Sequence, residues 1–244
     1  LNIIIMKKFL LSAFTLLFGA STPMIAQLST NDYVPLVVEG AKWECNYQIR
    51  YYNEELLIPY TIEIKGDTII NDIEYKCCVY TFKGGYSEWN KLEYPADTLT
   101  LAFIREDVEN KKVYTRLCDP DEDSLYNIYR TCVQQFGNGK EMLQYDFADI
   151  NNPEQIWWQE SDSPQGPHTV NADKIIIDGV KRNCYTINNG EGGYIIEGIG
   201  YDGYGTMIGV GDLIGQFPTL ITGGEAQPAF KAYKNAEGKT VYNT

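Results

Sequence analysis

The sequence predicts an all-β protein, an antiparallel hairpin meander that forms an open barrel or a sandwich. Apolar and polar residues alternate from Trp43 to Tyr51, which is the period of two of a half-buried strand. Aspartate and glycine at 178–179 separate two runs of β-branched residues, a strong signal for a two-residue hairpin. No segment has the apolar periodicity of an amphipathic helix of three or more turns.

Further strands and turns follow the same rules along the chain. The alternation returns at Tyr60–Ile64 and at Leu99–Phe103. A polar turn with Gly, Asn or Asp, followed by a β-branched or charged residue and tyrosine, occurs four times, at 71–75, 109–114, 178–185 and 237–242. Each occurrence predicts one hairpin. Hairpins laid side by side form a meander, which curls into a barrel or splits into a sandwich.

The N-terminal residues have the pattern of an export signal. Lys7 and Lys8 precede the apolar run Phe9–Gly19, which has the length of a signal-peptide core and is too short to cross a bilayer comfortably. We expect cleavage after Ala26, with a cut nearer Ala20 or Ser21 left open. The mature protein is then exported to the periplasm, the cell surface or the extracellular space, and no membrane span remains after cleavage.

The remaining chain is expected to form one domain. Residues 1–26 are assigned as upstream residues plus the cleaved signal peptide, 27–35 as an N-terminal linker and 36–244 as a single β domain. A long loop at 151–168 interrupts the strand pattern with three prolines. A second domain at 169–244 is the alternative, but that piece would struggle to bury a core alone.

Charge narrows the range of partners. The formal net charge is −13, and loss of Lys7 and Lys8 with the leader, which contains no acid, takes it to −15. A field of this sign repels phosphate backbones and anionic lipid, so nucleic acid is not an expected partner.

The cysteine count suggests disulfide bonds. An even number of cysteines behind a signal peptide permits up to three bonds, whose pairing cannot be derived from the sequence. Cys77 and Cys78 are neighbours, so on a strand they point to opposite faces and need different partners. The chain has no CxxC pair, which argues against a thioredoxin-like site and against structural zinc.

No catalytic set, metal or cofactor is predicted. His168 is the only histidine, which removes multi-histidine metal sites, and no GxSxG motif accompanies it. The acidic run Asp119–Ser124 begins like a calcium loop but lacks the glycine and the final glutamate of an EF-hand. The spelling GxGxxG at Gly198–Gly203 is followed by residues that cannot open a helix, so a glycine-rich hairpin or a bulged strand fits better than a dinucleotide site.

The candidate binding residues lie in the long loop. Trp157 and Trp158 could stack on sugar rings, and Glu160 and Asp162 are the acids beside them. The sequence predicts a non-enzymatic exported β domain whose role it does not define, with binding of a glycan or an extracellular protein as the first hypothesis. A purely structural or inhibitory barrel whose loops contact a protein partner is a further hypothesis. The alternative is a polysaccharide- or peptide-acting hydrolase that uses these loop carboxylates.

Several phrases together carry a family resemblance. In chain order they are Gly66–Asn71 leading to Tyr75-Lys76, Arg105–Asp107 leading to Lys112–Tyr114, Leu143–Phe147, Ile196–Gly200 and Gly238–Tyr242. With these phrases the chain resembles a group of uncharacterised exported proteins from Gram-negative anaerobes of the gut and mouth. The resemblance implies an extracytoplasmic β domain, and it implies no activity.

Overall fold

β-Strands provide all the regular secondary structure of the described residues, which confirms the predicted all-β class. The computed structural model describes residues 33–51, 54–86, 93–94, 96–118, 139–152, 154–155, 170–187, 193–202 and 225–244. Residues 33–244 fold as one compact unit. None of the described residues belongs to a helix that is long and apolar enough to cross a membrane.

Three antiparallel sheets contain the strands. The strands are β1 (Lys42–Tyr51), β2 (Glu54–Ile70), β3 (Ile73–Phe82), β4 (Gly85–Tyr86), β5 (Glu93–Tyr94), β6 (Asp97–Asp107), β7 (Lys112–Leu117), β8 (Glu141–Asp146), β9 (Val170–Ile177), β10 (Val180–Ile187), β11 (Tyr194–Ile196), β12 (Gly200–Tyr201), β13 (Glu225–Lys234) and β14 (Thr240–Asn243). The large sheet has the order β14-β13-β1-β2-β3-β6-β7-β8, the small sheet has the order β12-β11-β10-β9, and β4 pairs with β5.

The large sheet is an open meander with one long-range pairing. From β1 to β8 its neighbours follow one another along the chain, apart from the small β4–β5 sheet inserted after β3. The C-terminal hairpin β13–β14 then pairs with β1, with Lys42 opposite Lys234 and Arg50 opposite Glu225. In the described residues the edge strands β14 and β8 do not pair, so the sheet stays open, as an open barrel or a sandwich requires.

All four predicted hairpins are confirmed, and local turn chemistry explains two of them directly. Asn71 and Asp72 have φ values of 52° and 62°, and Asp178 and Gly179 have φ values of 51° and 76°. A type I′ turn needs positive φ at both central positions, and Asn, Asp and Gly tolerate this conformation best. The turn residues therefore fix where β2 gives way to β3 and β9 to β10.

Alternation sorts the strand residues between a core face and an outer face. Trp43 and Cys45 on β1 are buried, whereas Glu44 between them is half-buried. Cys45 lies opposite Tyr60 of β2, which is also buried, and Glu44 lies opposite the half-buried Thr61. Residues opposite each other share a face, so the inner side chains of neighbouring strands build one continuous core.

The two larger sheets share this core. The indole Nε1 of Trp43 in the large sheet donates a 2.8 Å hydrogen bond to the carbonyl of Ile199, which lies between β11 and β12. The rings of Phe147, after β8, and Tyr185, on β10, have centroids 6.4 Å apart. Buried residues from both sheets therefore form a single cluster.

Four described cysteines are free thiols, namely Cys45, Cys77, Cys78 and Cys184. The disulfide bonds expected from the even cysteine count are therefore not formed by these four. The physical reason is their placement, since their direct neighbours across the ladders are aromatic, alanine, isoleucine or aspartate residues. Cys78 is fully buried and Cys77 is half-buried on the opposite face of β3, as the alternation predicts.

Candidate functional site

The predicted binding residues cannot be placed. Trp157, Trp158, Glu160 and Asp162 lie outside the described residues, and so does His168. The structure instead draws attention to two other features. One is a buried polar cluster that holds the N-terminal segment 33–37, and the other is the end of the large sheet where the hairpins turn.

Glu106 anchors the N-terminal segment from the large sheet. It lies opposite Val113 and is thus on the core face of β6. Its carboxylate accepts hydrogen bonds from the Tyr33 hydroxyl, from the Leu36 amide at 3.0 and 3.1 Å and from the Val37 amide at 2.9 Å. A coil segment without strand partners thereby satisfies its buried amide groups.

Glu197 anchors the same segment from the small sheet. It lies in the turn between β11 and β12, is only 2% exposed, and accepts a 2.7 Å hydrogen bond from the Val34 amide. Its second oxygen accepts from the backbone amide and from the side-chain amide of Asn183 on β10. All four carboxylate oxygens of Glu106 and Glu197 therefore have donors.

Arg182 completes the cluster as a buried cation. It is 8% exposed, and its Nη1 donates a 2.9 Å hydrogen bond to the Glu197 carbonyl, while its Nε has no hydrogen-bond partner within the described part of the chain. Burial lowers the pKa of the guanidinium, and the negative charge of Glu197 opposes that change.

Gly198 allows this close packing. Its φ is +75°, and a Cβ added to it would lie 2.4 Å from Nη1 of Arg182 and 2.7 Å from a methyl carbon of Val34. Both numbers are shorter than any normal contact, so only glycine fits between the small sheet and the N-terminal segment. The glycine-rich hairpin predicted here is confirmed for its described part, with β11 and β12 flanking the turn.

The electrostatics of the cluster reflect the burial of its acidic groups. Burial raises the pKa of the Glu106 carboxyl, the hydrogen bonds from the segment partly offset this rise, and the charge of Glu197 adds to it. Burial and the Glu106 charge also raise the pKa of the Tyr33 hydroxyl. The neighbouring carboxylates of Glu106 and Glu197 resemble an acid–base pair, but their oxygens accept hydrogen bonds from the protein itself. We therefore interpret the two carboxylates as groups that hold the N-terminal segment in place.

The outer face of the large sheet carries a second polar group. Arg105 on β6 donates two hydrogen bonds, of 2.7 and 2.6 Å, to the carboxylate of Glu141 on β8, which also accepts from the Tyr75 hydroxyl. The guanidinium carbon lies 4.0 Å from the ring centre of Tyr114 on the strand between them. This arrangement crosses four strands and stabilises the sheet on its outer face.

The turns of the large sheet meet at one end. Lys76, near the start of β3, lies opposite Ile104, near the end of β6. The β2–β3 turn at 71–72 and the β6–β7 turn at 108–111 are therefore neighbours. This follows from antiparallel pairing, which places alternate hairpin turns of a meander on the same side.

Three further turns lie at the same end. Lys42 lies opposite Lys234, so the start of β1 is beside the β13–β14 turn. In that turn Lys239 Nζ lies 2.6 Å from the Asp178 carboxylate, which brings the β9–β10 turn of the small sheet to the same place. We call this region the turn end and define it by the turns at 39–40, 71–72, 108–111, 178–179 and 235–239.

The turn end carries exposed large aliphatic side chains beside its polar turn residues. Ile69 is 73% exposed and Ile176 is 75% exposed, although both are large aliphatic residues. Six of the nine exposed large apolar residues in the described part lie in or beside these turns, namely Val38, Ile69, Ile73, Val108, Ile176 and Val180. A concentration of this kind is typical of an interaction surface, whereas single exposed apolar residues are normal.

Sequence reasoning missed both features, although signals for them were present. Glu106 breaks the apolar phase of Ala102 and Ile104 on the core face of β6, which marks a buried acid that needs donors. Ile73 directly follows a polar turn, where a solvent-exposed position usually carries a polar residue.

No metal site emerges, because the described residues contain no group of three or more His, Cys, Asp or Glu side chains that could hold an ion.

Comparison with known proteins leaves the chain without an assigned relative. No protein-family model, no curated protein and no solved structure matches it.

Proposed function

We propose that the chain is an exported, non-enzymatic β domain that binds an extracellular protein through its turn end. The observation that carries the proposal is the concentration of exposed aliphatic side chains there, with Ile69 and Ile176 each about three-quarters exposed. Burying such side chains against a partner releases free energy in proportion to the apolar area removed from water.

The chemistry of this surface favours protein over glycan. Sugar rings stack on flat aromatic faces, whereas the exposed large apolar residues of the turn end are isoleucine and valine. The exposed tyrosines Tyr86 and Tyr194 lie away from these turns. An aliphatic surface fits an apolar patch or groove of another protein.

The surface also has the rigidity that specific binding needs. Ile69 and Ile73 flank the type I′ turn at 71–72, and Ile176 and Val180 lie beside the type I′ turn at 178–179. Two-residue turns hold the flanking residues in one conformation, so little conformational entropy is lost when a partner binds.

The polar cluster supports a binding role over catalysis. The carboxylates of Glu106 and Glu197 accept hydrogen bonds from the N-terminal segment and from Asn183, so their oxygens serve the fold. A general acid or base needs a proton that it can exchange with a substrate within hydrogen-bond reach.

The proposal is tested by retention on defined surfaces. Immobilised mucin, fibronectin and collagen would each be presented before and after enzymatic removal of their glycans. We expect at least one of them to retain the protein in both forms, and we expect Ile69→Asp combined with Ile176→Asp to abolish that retention. Leu57→Asp is the matched control, since Leu57 is 48% exposed near the start of β2, away from the turn end.

The outcomes separate protein binding from glycan binding. Retention that disappears with the glycans and is unaffected by the Ile69 and Ile176 substitutions would overturn the proposal. Sensitivity of such retention to Trp157→Ala and Trp158→Ala would then favour glycan binding in the 151–168 loop. Equal loss of retention in Leu57→Asp would show that the turn end has no special role.

A further inference from the structure

Strand β9 has an open edge. It is the last strand of the small sheet, and within the described part of the chain no strand pairs with its outer side. Four consecutive residues, 171–174, are exposed, so the strand is accessible from both faces as well as along its edge. An edge of this kind presents main-chain donors and acceptors that can pair with another strand.

The β9–β10 turn determines which groups point outward. Ile177 lies directly opposite Val180 across a two-residue type I′ turn, so these two residues exchange both main-chain hydrogen bonds. The pattern then alternates along the ladder, and the amide and carbonyl groups of Ala172, Lys174 and Ile176 point away from β10.

Contacts on the other side of β10 confirm this alternation. Asn183 lies opposite Lys174, and the two should point away from each other. The Asn183 carbonyl indeed accepts a 3.0 Å hydrogen bond from the Glu197 amide, on the β11 side. On β9, the Lys174 amide donates a 2.7 Å hydrogen bond to the carboxylate of Asp173, the residue before it.

The Asp173 side chain therefore blocks the middle of the open edge. Its carboxylate accepts a hydrogen bond from the outward amide of Lys174, which is one of the donors that an added strand would need. The contact is local and exposed to solvent, so a partner strand can displace it at low cost. Charged side chains at an edge also limit pairing with unsuitable chains.

We propose that the β9 edge accepts an extended segment of a partner protein by strand addition, with an acidic residue opposite Lys174 and an aliphatic residue opposite Ile176. These two β9 side chains lie on the same face, two positions apart, so the partner segment needs an alternating acidic and aliphatic pattern. The inference deepens the proposed function, because Ile176 belongs to the turn end. It rests on the proposed function only for the idea that the domain binds proteins.

A second copy of this chain fits the edge poorly. Only the outward residues can pair, which restricts an antiparallel partner to alternate registers. Two of the permitted registers have the longest overlap. In one of them Lys174 lies opposite Lys174 of the other copy, and in the second Asp173 lies opposite Asp173 of the other copy. Like charges directly opposite each other destabilise a ladder, so a segment with a complementary charge is favoured.

The test uses a capped eight-residue peptide in which every second residue is threonine and the residues between are glutamate and valine. A matched peptide has lysine in place of glutamate. Amide hydrogen exchange measured by NMR should show that the glutamate peptide protects Ala172, Lys174 and Ile176 and leaves the amides between them unchanged. We expect the lysine peptide to bind about two- to fivefold more weakly, as for the loss of one cross-strand charge pair.

Two exposed substitutions sharpen the test. Lys174→Glu should reverse the preference between the two peptides. Asp173→Asn should strengthen binding of the glutamate peptide, because it removes the carboxylate charge beside the Lys174 amide. Absence of alternate protection at millimolar peptide, or an unchanged preference in Lys174→Glu, would overturn the inference. Alternate protection that rises with protein concentration alone would overturn it in favour of a second copy.

The result is separable from the proposed function. Ile69→Asp leaves the β9 edge intact, so it should bind the peptide as the unsubstituted protein does. Failure of strand addition together with retention on a protein surface that depends on Ile69 would leave the turn-end proposal standing.

Discussion

The indole of Trp43 on β1 donates a 2.8 Å hydrogen bond to the carbonyl of Ile199, between β11 and β12. Both residues are fully buried, so this bond joins the large sheet to the small sheet inside their shared core. The Ile199 amide in turn donates to the Ile196 carbonyl within its own hairpin. The position of the small sheet is thus tied to the second residue of the first strand.

Trp43→Phe should lower the free energy of unfolding by about 1–3 kcal/mol from the lost hydrogen bond, because the buried Ile199 carbonyl then loses its donor. The smaller ring adds a cavity and can only increase the loss. Urea unfolding followed by circular dichroism measures the change. Tyr86→Phe is the control, since Tyr86 is 48% exposed and should have no effect. An equal stability of Trp43→Phe and the unsubstituted protein would contradict the role given to this bond.

Gly198→Ala should cost roughly 2–5 kcal/mol, combining the strain of positive φ with overpacking against Arg182 and Val34. Gly238→Ala is a closely matched control, because its φ of +78° is almost the same and nothing lies within 4 Å of the added Cβ. It should cost only about 1–2 kcal/mol. Urea unfolding of both variants separates strain from crowding, and equal losses would show that the contacts around Gly198 are unimportant.

The strands and hairpins could be predicted because their causes are local. Alternation from Trp43 to Tyr51 and the turn pairs at 71–72 and 178–179 act within a few residues. The pairing of β1 with β13 has no such local signal, because it joins the two ends of the domain. Sequence alone gives no register for a contact of that kind.

The polar cluster could not be predicted for the same reason, because its contacts join residues that are far apart in the sequence. The hydrogen bond from the Val34 amide to Glu197 spans 163 residues, and those from Leu36 to Glu106 span 70. Residues 33–35 of this segment belong to the predicted linker 27–35, whereas residues 36 and 37 belong to the predicted domain. The assignments for Trp157 and Trp158 concern residues outside the described part of the chain, so they stay predictions.

The buried thiols should resist modification in the folded protein. Burial raises the pKa of Cys45 to about 12 and that of Cys184 to about 11, and it raises the pKa of Cys78 as well. The thiolate is the reactive form, so iodoacetamide at pH 8 should label these three only after unfolding in urea. Peptide mapping by mass spectrometry gives the result for each cysteine. The half-buried Cys77 is the internal comparison and should react first among these four.

Glu106 and Glu141 should influence the pH dependence of stability in opposite directions. Burial raises the pKa of Glu106 in the folded protein, so the folded state takes up this proton before the unfolded state does. Its ionised form therefore weakens the fold at neutral pH, and this penalty is lost as the pH falls through the raised pKa. Relative to Glu106→Gln, the unsubstituted protein should gain stability between pH 7 and about pH 4.5.

The hydrogen bonds from Arg105 lower the pKa of Glu141, so its contribution is present above the unfolded pKa and is lost as the pH falls through the folded one. Relative to Glu141→Gln, the unsubstituted protein should therefore lose stability as the pH falls below about 4.5, the ordinary pKa region of a glutamate. Urea unfolding of the three proteins at a series of pH values measures both differences. Parallel pH curves for the two variants would contradict the prediction, because the two carboxylates would then have the same linkage to folding.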